Sequence, residues 1–201
     1  MRTPMPVSAP ALLDRFVPFP DARGRHQITI HAPAPLVMEV VQNFDIESLW
    51  IVRTLIKVRA ILLHAPAPPE RTGTGLIEHM TSLGWQRLAE DSSHYFIAGA
   101  ACQPWQGNPG FSPVAPETFA AFAEPDRVKI AWTIETADLA PALTRFATET
   151  RAVATDEAAR VKFRRYWRKF GMGIVLIRLI LLPAVRRRAQ QLWREQSKAE
   201  S

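Results

Sequence analysis

A single cysteine, Cys102, stands in this chain of 201 residues. That excludes a disulfide framework or a cysteine metal cluster within one chain, and a cytoplasmic location fits a lone thiol. The N-terminus, MRTPMPVSAPALLDRF, lacks the unbroken apolar core of a signal peptide. The most apolar stretch, Met172–Val185, is shorter than a membrane span and is interrupted by Gly173, Arg178 and Pro183. No Gly-x-Ser-x-Gly elbow is present, and Cys102 has no evident histidine partner, which disfavours a nucleophilic hydrolase. His26, His31, His64 and His94 are scattered without ligand spacing, so no metal site is expected. Thr72-Gly73-Thr74-Gly75 follows a proline-rich loop rather than a strand. It reads as a turn and not as a phosphate loop, and no cofactor is implied.

What is present is the composition of a globular protein, with 47% apolar and 22% charged residues. The length suits one domain with a substantial core. Of the 17 prolines, most gather before residue 36, at Pro66–Pro69 and at Pro104–Pro116. The chain therefore divides into a proline-rich arm over 1–24, a folded domain over 25–190 and a polar tail over 191–201. Charge is uneven. Residues 1–150 carry 12 Lys/Arg against 15 Asp/Glu, and residues 151–201 carry 13 against 4. The basicity belongs to the last helix and its tail. Such a stripe suits an anionic membrane surface or the solvated back of a helix. Nucleic-acid binding is disfavoured, because the remaining surface is slightly acidic and no recognition module is visible.

Periodicity orders the chain as strand, two helices, strands and a long helix. HQITIHA alternates as a strand, and Pro33 and Pro35 open the helix APLVMEVVQNF. Asp45 is placed to cap a second helix, IESLWIVRTLIKVRAILL. Strands are expected at Leu76–Met80, Gln86–Ala89, His94–Ala101, Arg127–Glu135 and Thr144–Ala154. A short helix, Pro116–Phe122, lies within a long loop. In VKIAWTIE, Val128, Ile130, Trp132 and Ile134 face one way, while Lys129, Thr133 and Glu135 face the other. That predicts one buried and one wet face. Thr148 and Thr150 share a strand face, and Glu149 and Arg151 on the other read as a surface pair. Thr155 or Asp156 caps the final helix, near Asp156–Gln190, which Pro183 should kink or end. Beyond Gly171 that helix is apolar nearly all round, so a second side is free to meet the cavity, a membrane or a second copy in a homodimer.

This order, carried by HQITIHAPAPLVMEVV, GWQRLAEDSSHYFIAGAACQPW, PETFAAFAEPDRVKIAWTIE and FATETRAVATDEAARVKFRRYW, resembles the START-like, polyketide-cyclase-like (SRPBCC) superfamily, in a bacterial branch without agreed catalytic residues. The resemblance covers roughly residues 25–189. It implies an α+β helix-grip fold, with a curved antiparallel sheet wrapped around a long C-terminal helix and an apolar pocket between them. Members of the superfamily bind lipids, sterols, polyketides or plant hormones, and some catalyse cyclisation or hydrolytic steps.

The resemblance makes a small apolar or amphipathic ligand the expected partner. Trp50, Trp85, Tyr95, Trp132, Thr148, Tyr166 and Trp167 are the candidate pocket residues. For a cyclase or dehydratase the candidate bases are Glu78 and His79, although neighbours on a strand point to opposite faces. For a peripheral membrane or interaction protein the candidate surface is Ile174–Arg188, with Arg186, Arg187 and Arg188 as its basic cluster.

Overall fold

The computed structural model describes residues 9–45, 48–65, 75–91 and 93–199. The proline break at 66–69 and the glycine-rich turn at 72–74 lie outside the described residues. Five strands form one antiparallel sheet in the order β1-β5-β4-β3-β2. They are β1 (Ala22–Ile30), β2 (Gln86–Asp91), β3 (Tyr95–Cys102), β4 (Val128–Ala140) and β5 (Leu143–Ala154). The helices are α1 (Ala9–Phe16), α2 (Ala34–Gln42), α3 (Trp50–Leu62), α4 (Leu76–Ser82), α5 (Pro116–Phe119) and α6 (Glu157–Ala199). The sheet wraps α6, which is the helix-grip α+β architecture.

Alternation along the strands decides which side chains meet α6. Ile28 and Ile30 of β1, Phe146 of β5, Ile134 of β4, and Phe96, Ala98 and Ala100 of β3 point to the concave face. There they pack with Leu181, Leu182, Val185 and Ala189 of α6 and with α2. A second group, Ala22, Val128 and Ala152, meets Phe163 near the start of α6. Asp156 starts that helix by accepting the Ala159 backbone N–H at 2.7 Å.

Three expectations change. The segment expected as a strand at Leu76–Met80 is the helix α4. Leu76, Ile77, Met80 and Leu83 all pack on the concave-side core, a spacing of one, three and three that suits a helix. Pro183 lies inside α6 without ending it. Proline removes the N–H that would bond the Leu179 carbonyl, and Leu179 is exposed, so water can serve that carbonyl. The stretch read as a polar tail continues α6 to Ala199.

The face expected to be wet is also covered. Leu12, Leu13 and Val17, in and just after α1, join Phe119 of α5 over Leu88, Ile97 and Ala131 on the convex side. Gly99 makes room for this layer. A Cβ there would lie 2.5 Å from Phe119 Cε2 and 2.6 Å from Leu88 Cδ1. Lys129, also on this face, donates to the Phe119 and Ala120 carbonyls at 3.2 and 2.7 Å and so ties α5 down.

Glu149 and Arg151 are therefore buried and not a surface pair. The Glu149 carboxylate accepts from Arg151 Nε at 2.7 Å, Arg23 Nε at 2.8 Å and Arg25 Nη1 at 3.2 Å. Arg151 in turn binds the Asp14 carboxylate and donates to the Val17 carbonyl at 3.0 Å and the Pro10 carbonyl at 3.4 Å. One guanidinium thus holds α1 at both ends. Burial by itself would push the Glu149 carboxyl upward, but the bonds from Arg151 and Arg23 outweigh it and hold the group below its usual range.

Glu149→Gln should cost about 3 kcal/mol in urea denaturation, because it strands buried guanidinium groups. A double replacement, Glu149→Leu with Arg151→Met, should cost less than the two single changes summed. The depressed carboxyl also sets a sign. Its contribution to stability is complete above the usual carboxylate range and is lost as pH falls through the folded-state value. Glu149→Gln should accordingly flatten the acid limb of a plot of Tm against pH.

Candidate functional site

The candidate site is the stretch of concave face beneath the middle of α6. Across β1 and β5, His26 stands opposite Thr148 and Gly24 opposite Thr150. Trp132 of β4 pairs with Thr150 in register. The Trp132 indole N–H donates to Thr148 Oγ1 at 2.9 Å, and the Thr148 hydroxyl donates to the Thr133 carbonyl at 2.7 Å. This chain fixes the indole and leaves its ring as a wall facing the helix.

Phe163, Gly171, Arg178, Leu181 and Val185 are buried positions along α6. Ile28, Ile130, Trp132 and Thr150 nevertheless keep intermediate exposure although they point at the helix. The surrounding Ile30, Ile134, Phe146 and Phe163 are sealed. Sealed and half-exposed side chains thus stand side by side on this face.

Two ionisable groups stand in this apolar setting. Arg178 is almost wholly buried, and burial lowers its pKa against the opposing influence of Glu149. His26 lies on the same face of β1 as Gly24. Its pKa is lowered, first by burial and then by the positive charge of Arg178. Sequence reasoning passed over both: Arg178 figured as an interruption of an apolar run, and His26 as one of several scattered histidines. The available signal was the position of Arg178, four residues beyond Ile174 and three before Leu181, on a common helix face.

Several predicted residues lie elsewhere. Trp85 is buried in the concave-side core beside Phe111, at 5.3 Å between ring centroids. Trp50 is 67% exposed on α3, so it does not wall the grip. The Tyr95 side chain packs with the convex-face layer, because strand alternation sends Tyr95 and Ile97 away from Phe96 and Ala98. Trp167 packs on Phe163 at 5.6 Å. Tyr166, one residue earlier, is half-buried and stacks on Phe170 at 5.0 Å. Tyr166 and Phe170 line an open cleft of about 550 Å³ between the end of α3 and α6, with Leu62, Trp105, Lys162 and Lys169. Arg59 braces that cleft, donating to Tyr166 Oη at 3.3 Å and the Pro104 carbonyl at 3.1 Å.

Glu78 and His79 belong to α4, with Glu78 exposed. Arg186, Arg187 and Arg188 are exposed in succession on α6. Burial pushes the Cys102 thiol up to about 12, despite the opposing charges of Arg59 and Arg127, so it is a packed apolar group and no nucleophile at neutral pH. Among the described residues no cluster of three or more His, Cys, Asp or Glu could hold a metal, and no helix is long and apolar enough to cross a membrane.

No family model and no curated protein matches the chain. Solved structures similar to it include the ZhuI aromatase/cyclase of a Streptomyces species, at 15% identity and TM-score 0.36 over 85% of this chain and 94% of that one. A protein of Deinococcus radiodurans is similar at 14% identity and TM-score 0.29, over 76% of this chain and 99% of that one. Ara h 8.0201 is similar at 11% identity and TM-score 0.22, over 85% and 98%.

The His26 environment is directly testable. An NMR pH titration should place its imidazole below the usual histidine value, so that it is neutral at pH 7. Arg178→Met should move that titration upward, since it removes one of the two causes. An unmoved titration would separate the two groups.

Proposed function

We propose that the space between the concave face and α6 binds a small apolar or amphipathic ligand. The observation that carries this reading is the half-exposure of Ile130, Trp132 and Thr150 on a face where Ile134, Phe146 and Phe163 are sealed. Its walls are aromatic and aliphatic, so burial of ligand surface supplies affinity. A few polar groups, among them His26 and Thr150, supply orientation. The tethered Trp132 ring keeps the wall in place before a ligand arrives, which limits the ordering cost of binding.

A cyclase or dehydratase would need a base within that space. Glu78 and His79 stand on α4, so His26 is the group to consider, and its one charged neighbour acting on it is Arg178. That pairing favours binding over proton abstraction, because a cation beside an imidazole weakens it as a base.

Native mass spectrometry of the protein from its host should show a reproducible extra mass that is lost on denaturation. An apolar fluorophore should bind, and Thr150→Phe should abolish its uptake while circular dichroism stays unchanged. Unaltered uptake would move the site to the cleft beside Tyr166.

A second reading rests on exposed apolar side chains along a basic helix. Met172 and Leu179 are 75% and 57% exposed on α6, and Arg186–Arg188 follow them. An interfacial role predicts co-sedimentation with anionic vesicles, weakened by salt and by Arg186→Ala/Arg187→Ala/Arg188→Ala. Equal retention by neutral vesicles would dismiss it.

A further inference from the structure

Among the residues that α6 turns toward the sheet, Arg178 is the chemical exception. It is 5% exposed, it forms no ion pair with a described carboxylate, and its guanidinium nitrogens are not among the buried atoms left without a partner. Arginine carries five donors and a permanent charge, so such burial is costly unless something accepts from it. The carboxylate that influences it, Glu149, points from the opposite face of the sheet and is already engaged by Arg23, Arg25 and Arg151.

Glycine at position 24 makes the placement of this guanidinium possible. A Cβ there would stand 2.5 Å from Arg178 Nη1. The backbone of Gly24 has no positive φ, so what matters is the missing side chain and not an unusual torsion. Two further polar groups share this spot. His26, two residues along the same face of β1, has its Nδ1 buried without a hydrogen-bond partner. Thr150, the register partner of Gly24, is half-buried. A guanidinium, an imidazole and a hydroxyl thus converge inside an apolar surround.

We infer that the grip takes an amphipathic carboxylate, with its head held by Arg178 and oriented by His26 and Thr150, and its apolar body laid along Ile130 and Trp132. This rests on the reading of the grip as a ligand site and specifies its ligand class. A carboxylate suits the place on two grounds. A guanidinium fork meets a planar two-oxygen head with parallel hydrogen bonds. One buried cation is also balanced by one negative charge, with none left over.

The test compares lauric acid with lauryl alcohol, each displacing an apolar fluorophore from the intact protein. Wild type should take the acid at least about tenfold more tightly than the alcohol, as a charge-assisted hydrogen bond implies. Arg178→Met should erase that difference, keep alcohol binding, and melt no lower than wild type, because it takes a charge out of a largely apolar site. Lauric acid should raise the Tm of wild type and raise that of Arg178→Met by less. Gly24→Ala, which displaces the guanidinium without deleting it, should also reduce the preference and serves as the deciding variant if Arg178→Met does not fold. The inference is overturned if wild type binds acid and alcohol alike, or if the preference survives both substitutions. If folded wild type takes up neither the fluorophore nor either lauryl compound, the ligand-site reading itself fails and this one falls with it.

Discussion

One helix has to cover the whole concave face of a five-stranded sheet, and most of the molecule follows from how it does so. At 43 residues, α6 is about 65 Å long, while the longest strand, of 13 residues, spans about 43 Å. The helix therefore overhangs the sheet. Its apolar positions cannot all be satisfied by strands, and α2 and α3 fill in beside it. Where it crosses the sheet, bulky residues such as Phe163 and Val185 are sealed. Gly24 on β1 leaves room for the Arg178 guanidinium, and Gly171 for the Trp167 ring.

The convex face is solved by different physics. An antiparallel sheet can leave one face to water, yet here that face carries a carboxylate and a guanidinium with almost no exposure. They tolerate burial because β1 brings two more arginines alongside and α1 brings Asp14 and two backbone carbonyls. The ionic network and the apolar layer of Leu12, Leu13 and Phe119 depend on one another. The layer excludes water from the charges, and Arg151 holds α1, the source of part of the layer. The two faces thus make opposite use of arginine. On the convex face it is paired with carboxylates, and on the concave face Arg178 stands against Gly24 and near His26.

Much of the element order was legible because it rests on local periodicity. The clean alternation of VKIAWTIE, the prolines before α2 and the three- and four-residue spacing from Phe163 onward each report a period that the chain must keep to bury one side. Leu76–Met80 was misread because five apolar-rich residues fit either period, and the deciding contact, Leu83 on the same core, lies beyond the window. Trp50 and Tyr95 were misplaced for a related reason. An aromatic residue advertises burial, but its face depends on strand register and on which helix lies above it.

By itself the sequence determined most of the strands and the long terminal helix, since these depend on spacing between near neighbours, while the helix-grip class came from the resemblance of their order to the START-like superfamily. It also determined that the basic charge belongs to α6. Only the tertiary structure decided that residues 9–17 form α1 and its end and cover the sheet. That outcome needs Arg151, more than a hundred residues away, to reach the Pro10 and Val17 carbonyls. The tertiary structure likewise decided that Glu149 is buried and that Arg178 meets Gly24 and His26. Contacts between residues so distant in sequence leave no periodic trace, because each chain segment satisfies its own local pattern equally well with or without them.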